Sequence, residues 1–129
     1  ILLGTQTADC GTSQNTVLAQ YAAEAMDIDL GVIDVLHMDT DNAPDDLGSA
    51  ASRVTFVSGA AAFKAGHLFT AEVKKLLSAH WSVAAGQVEF RNGMAGVIGD
   101  TTQHTDAQFL AWLADAWAVT VEIGDEGNP

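Results

Sequence analysis

The apolar positions of the chain change their period several times, and each change marks an element. Residues 2–8 are rich in Leu and Thr, show no helical spacing, and read as a strand. A short polar loop, DCGTSQN, follows and contains Gly11. Val17, Leu18, Tyr21, Ala22, Ala25 and Met26 then fall at i, i+1, i+4, i+5, i+8 and i+9. That spacing draws one apolar stripe on a helix from about Gln14 to Met26. VIDVLHM, residues 32–38, is apolar on both faces and predicts a covered strand.

The longest periodic stretch runs from about Arg53 to His80, with Phe56, Ala60, Phe63, Leu68, Val73, Leu76 and Leu77 in its stripe. Gly59 and Gly66 interrupt it. Each weakens a helix by about 1 kcal/mol relative to Ala, and the pair is expected where another backbone comes close. QVEFRNGMAGVIG predicts a hairpin, because Asn92-Gly93 suits a type I′ turn whose central residues both take positive φ. Thr105 and Gln108 form a capping box ahead of a last helix striped by Phe109, Leu110, Leu113 and Trp117. VTVEI reads as a final short strand. The predicted order is β-α-β-α-β-β-α-β, an α/β (α+β) fold with helices packed on a mixed sheet, its first two strands parallel.

The 129 residues amount to one domain, 1–129, and 48% of them are hydrophobic, enough for a core. The chain opens on ILLGTQTADCG and stops at EIGDEGNP, which reads as a piece of something longer. Seventeen acids against 5 bases leave a net charge of −12, a field that repels nucleic acid and anionic membranes. No stretch is apolar enough to span a bilayer. A single cysteine, Cys10, excludes an internal disulfide and a cysteine-based zinc site, and fits a reducing, cytoplasmic compartment. Cys10 itself reads as a small core residue. His37, His67, His80 and His104 lack metal-ligand spacing, and no Ser-His-Asp set is readable, so neither a metal ligand nor a catalytic residue is assigned. The three tryptophans, Trp81, Trp112 and Trp117, read as packing residues.

Two loops carry the candidate chemistry. Asp39, Asp41 and Asp45 suggest a calcium loop, but Ala43 and Pro44 stand where that pattern needs a ligand and a glycine. The aspartates read instead as turn formers. After them, GSAASR opens the long helix. A helix start has four N–H groups without partners and a partial positive charge, and small residues let an anion reach it. Ser49 and Ser52 add hydroxyls there. CGTSQNT, ahead of the first helix, is built alike, with Gly11, Thr12 and Ser13. In a β-α-β unit both loops lie at one edge of the sheet, where open α/β folds bind ligands. Ordinary capping by serine is the competing account of each loop.

Together, TADCGTSQNTVLAQYAAEAMDID and DTDNAPDDLGSAASRVTFVSGAAAFKAG resemble the molybdopterin-binding region of the molybdenum hydroxylases. That family includes xanthine dehydrogenase, aldehyde oxidase and 4-hydroxybenzoyl-CoA reductase, and the second stretch is most similar to the last. The resemblance covers about residues 1–100. It implies one part of a large molybdopterin-binding subunit, working with the remaining segments of that subunit and with iron–sulfur and flavin subunits or domains. The implied cofactor is molybdopterin. The implied reaction is hydroxylation of an aldehyde or aromatic heterocycle, or reduction of a hydroxybenzoyl-CoA. The resemblance carries cofactor-binding roles to Gly11, Thr12, Ser13, Ser49, Ser52 and Arg53. Arg53 either touches the cofactor or pairs with an aspartate of the preceding loop. Where the family reads Gly-Gln-Gly, this chain has Gly11-Thr12-Ser13. The family's base glutamate belongs to a late Gly-rich motif, and Glu24, Glu72, Glu89, Glu122 and Glu126 read as surface residues instead. The isolated chain is therefore expected to be inactive and to self-associate through uncovered apolar area. A binding or assembly module that kept the fold and lost the cofactor is the alternative.

Overall fold

The structure, a computed structural model, describes residues 1–37, 41 and 46–99. Strand β1 (Leu2–Thr5) leads through the first loop to helix α1 (Gln14–Met26). A 3-10 turn at Leu30–Val32 then enters β2 (Asp34–His37). The second loop ends in a π-helical turn, Val54–Ser58, that runs straight into α2 (Gly59–Trp81). Strands β3 (Val88–Arg91) and β4 (Met94–Val97) complete the described fold. The α+β class and the order of these elements follow the sequence reading. The predicted last helix and strand lie outside the described residues.

β1 and β2 pair in parallel, with Leu3 opposite Val35, and β3 and β4 pair antiparallel, with Val88 opposite Val97. Among the described residues the parallel and antiparallel pairs are separate two-stranded sheets. Each packs on its own helix. Leu3 and Val35 lie against the α1 cluster of Ala19, Ala22, Ala23 and Met26. Val88 and Ala95 close a second cluster with Val73 and Leu77 of α2, flanked by Phe69, Trp81, Val83 and Phe90. Trp81 is thus a packing residue, as expected. Phe69 touches both clusters and joins the two halves.

The helices meet through small residues. A Cβ added at Gly66 would sit 2.7 Å from the Ala25 Cβ and 2.9 Å from the Ala22 carbonyl oxygen. One added at Gly59 would sit 2.8 Å from the Tyr21 ring. Both glycines therefore mark a close approach of α1, as their places in the sequence predict. The buried face of α2 is Gly59, Ala62, Gly66, Val73 and Leu77. Phe56, Phe63 and Leu68 belong to the predicted stripe but stay exposed, Phe56 at 83%. The contact with α1 needs small side chains, so it selects the glycine face and turns the phenylalanines outward.

Both helices end in the same way. Asp27 is left-handed at φ 53, with Asp27 N–H donating to Glu24 O and Ile28 N–H to Ala23 O. Ser82 repeats this after α2, with Val83 N–H donating to Ser78 O. These are Schellman caps built on residues other than glycine. Asp27 also receives the hairpin turn, its Oδ2 taking Asn92 N–H at 2.9 Å and its carbonyl taking Gly93 N–H at 2.7 Å. Asn92 (φ 50) and Gly93 (φ 71) both have positive φ, as the predicted type I′ turn requires.

Gly66→Ala is expected to destabilise the chain by about 2 kcal/mol, because overlap with Ala25 and the Ala22 carbonyl outweighs the better helix propensity of Ala. Urea unfolding checks this. A raised midpoint would mean that the helices separate at no cost.

Candidate functional site

Past Thr5 the chain leaves the predicted strand, because Thr7 turns inward. Its N–H donates to Thr5 Oγ1 at 3.0 Å, and its side chain is 1% exposed. The hydroxyl reaches across 39 residues to donate to Asp46 Oδ2 at 2.5 Å. Asp46 Oδ1 accepts from Gly48 N–H at 2.8 Å and from Arg53 Nη1 at 2.8 Å. The same Arg53 nitrogen donates to Gly48 O at 3.0 Å. One carboxylate thus joins the end of β1, its own loop and the start of the long helical run. Arg53 pairs with a loop aspartate, one of the two roles predicted for it.

A second staple lies beside the first. Ser49 Oγ sits 3.0 Å from Ala8 O and 2.8 Å from Gln14 Oε1, so its single proton is shared between the first loop and α1. The two loops named from the sequence are therefore neighbours. Gly11 (φ 81) and Gly48 (φ 80) are left-handed, and a Cβ on either would meet nothing within 4 Å. Gly11 N–H turns back to Asp9 Oδ1 at 3.0 Å. Gly11, Thr12, Ser13 and Ser52 are exposed, while Ser49 and Arg53 are half-buried.

Neither helix start is capped by its serine. Ser13 stands at the start of α1 in the left-handed region, φ 56, and its side chain makes no capping bond. Arg53, at the start of the π turn, makes none either. Ser13 is therefore no ordinary serine cap, and Ser49 spends its hydroxyl on Ala8 O and Gln14 Oε1 instead. Among the described residues, six other than glycine have positive φ. Asp27, Ser82 and Asn92 serve the helix ends and the hairpin; Ser13, Ala51 and Ser52 fall in the two loops. Consecutive left-handed residues at Ala51 (φ 50) and Ser52 (φ 61) cost about 1 kcal/mol each or more. Strain without a capping role is thus concentrated at this one place.

Sequence reading missed Thr7, Asp46, Gln14 and a further pair, Asn15 Nδ2 and His37 Nε2, 2.8 Å apart. Asp46 left a faint signal, an aspartate two residues before a glycine, the spacing of an Asx turn. Asn15 Oδ1 is buried with no hydrogen-bond partner, an acceptor held in the first turn of α1. Cys10 requires a correction. It is exposed rather than a core residue, because it lies in the loop beyond the end of β1. Glu24 and Glu89 are exposed, and Glu72 pairs with Lys75 at the surface. Asp39 and Asp45, and also Glu122 and Glu126, lie outside the described residues.

The profile of the molybdopterin cofactor-binding domain matches residues 1–127. The chain belongs to that family of the molybdenum hydroxylases. It is 33% identical over 117 residues to the 6-hydroxypseudooxynicotine dehydrogenase complex subunit gamma of Paenarthrobacter nicotinovorans, covering 91% of this chain and 15% of that subunit. Its fold is similar to reconstituted CO dehydrogenase from Oligotropha carboxidovorans, with TM-score 0.74 and 26% identity over 95% of this chain and 15% of that one. Quinoline 2-oxidoreductase from Pseudomonas putida 86 shares the fold at TM-score 0.71 and 24% identity, over 89% of this chain and 15% of that one. The chain therefore spans about 15% of the length of these relatives. Among the described residues no helix is long and apolar enough to cross a membrane.

Burial works against the charged form of Asp46, but the hydrogen bonds from Thr7, Gly48 and Arg53 and the Arg53 charge outweigh it. They hold the carboxyl below its ordinary value of 3.8. The folded protein then binds this proton less readily than the unfolded chain does. The Asp46 contribution to stability is complete above the unfolded value and is lost as pH falls through the lower folded one. Asp46→Asn is expected to cost about 2 kcal/mol at neutral pH and to flatten the acid limb of the stability profile. Unfolding free energies between about pH 6 and pH 2.5 check this. An acid limb unchanged in Asp46→Asn would contradict it.

Proposed function

We propose that this chain supplies part of the cofactor wall of a molybdenum hydroxylase-type oxidoreductase. The observation that carries the reading is the pair of uncapped helix starts held side by side by Ser49. Their first-turn N–H groups have no intrahelical partner and favour negative charge. The phosphate end of molybdopterin is the matching group. Gly11, Thr12 and Ser13 line one side of its place, and Ser49 and Ser52 the other. Arg53 shapes the second side through Asp46. The open backbone at Gly11 and Gly48 fits such a ligand. When bound, molybdopterin supplies the molybdenum redox chemistry of the family.

The substrate class we infer is an aromatic heterocycle, in line with relatives named for 6-hydroxypseudooxynicotine and quinoline. The chain acts in the cytoplasm with the remaining segments of a large subunit and with iron–sulfur and flavin partners. Leu2, Leu36, Leu47 and Phe56, all half exposed or more, are the area those segments cover. Alone, the chain self-associates and is inactive. A second reading, a binding or assembly module without cofactor, is favoured by Thr12 standing where the family has glutamine.

Molybdenum analysis and pterin fluorescence on the assembled protein separate the two, since the module would carry neither. Ser52→Asp places a negative charge at the second helix start and is expected to lower molybdenum occupancy severalfold. Unchanged occupancy would leave that helix start with no role in holding the cofactor.

A further inference from the structure

We propose that Asp46 is the positioning residue of the cofactor site: it locks the second loop onto the end of β1 and keeps the Arg53 guanidinium off the ligand. The inference rests on the proposed function and goes beyond it, because Asp46 itself does not touch the cofactor.

The geometry singles Asp46 out. Its two carboxylate oxygens receive Thr7 Oγ1 at 2.5 Å, Gly48 N–H at 2.8 Å and Arg53 Nη1 at 2.8 Å. Those donors stand on two stretches of chain, the end of β1 and the two ends of the second loop. Thr7 is buried, so this end of the lock is fixed to the body of the domain. The Gly48 bond draws a turn directly ahead of Ser49, and the Arg53 bond closes the far side of the Ala51–Ser52 kink. Residues 48–53 are thereby held at both ends by one side chain. A loop held this way presents its free N–H groups in one arrangement, and hydrogen-bonded supports of this kind govern how tightly a site keeps its ligand.

The charge matters as well. The Arg53 and Asp46 side chains are only 18% and 16% exposed, so the ion pair is poorly screened. Arg53 Nη1 spends its hydrogen bonds on Asp46 and Gly48 O. The anion is then met by backbone dipoles and hydroxyls rather than by a mobile cation, which sets the phosphate by shape.

The test compares cofactor release from the assembled, cofactor-loaded protein in wild type, Asp46→Ala, Asp46→Asn and Gly66→Ala, followed by pterin fluorescence and molybdenum content. Gly66→Ala is the control, since it strains the helix contact against Ala22 and Ala25, outside both loops. Asp46→Ala is expected to release the cofactor about tenfold faster, with Asp46→Asn between it and wild type and Gly66→Ala like wild type. Equal release from Asp46→Ala and wild type would overturn the inference. So would equal acceleration in Asp46→Ala and Gly66→Ala, which would reduce Asp46 to general stability. Tighter retention in Asp46→Asn would also overturn it, since a loosened loop would then hold the cofactor better than a locked one. A wild-type protein without pterin would instead sink the proposed function itself.

Discussion

The contact between α1 and α2 is the constraint from which the rest follows. At Gly66 the backbones approach so closely that even one methyl group has no room. Each helix carries its own two-stranded sheet, so this contact is also what joins the halves of the domain. It lays the two helical runs side by side, and their starts are tied by hydrogen bonds of their own. The two loops leading into those starts then need only short side chains to touch, and Ser49 and Thr7 suffice.

Under the proposed function, a chain with net charge −12 holds an anionic guest without much positive charge. Its five basic residues all fall between positions 53 and 91, and Arg53 is bound to an aspartate. Long-range electrostatics therefore oppose binding, and local dipoles must supply the attraction. Partial charges at a helix start act within about a turn and are weakened by salt, so they serve only a ligand brought into close contact. Small residues at positions 48–52 permit that contact.

Much of the fold was legible because it rests on local rules. The stripe of α1 and the Asn92-Gly93 turn each state their structure within a dozen residues. The glycines of α2 signalled a close approach, though not which helix would approach. Phe56 and Phe63 misled, since periodicity reports an apolar side without saying which side a neighbour takes. The site was half legible. Small and hydroxyl residues before a helix are visible in sequence, and so is their pairing in a β-α-β unit. The Thr7–Asp46 bond is not, because a contact across 39 residues depends on where β1 ends. Cys10 was misplaced for the same reason.

In the proposed cofactor site, the left-handed pair at Ala51 and Ser52 has a consequence for recognition. Side chains other than glycine resist that backbone form, so the loop does not adopt it casually in the unfolded chain. Folding, rather than ligand arrival, supplies the free energy for bending it. A guest then meets a surface already in its final form and loses little affinity to ordering the host. Selectivity follows as well, because a rigid rim of fixed curvature excludes ligands that a pliable one would wrap.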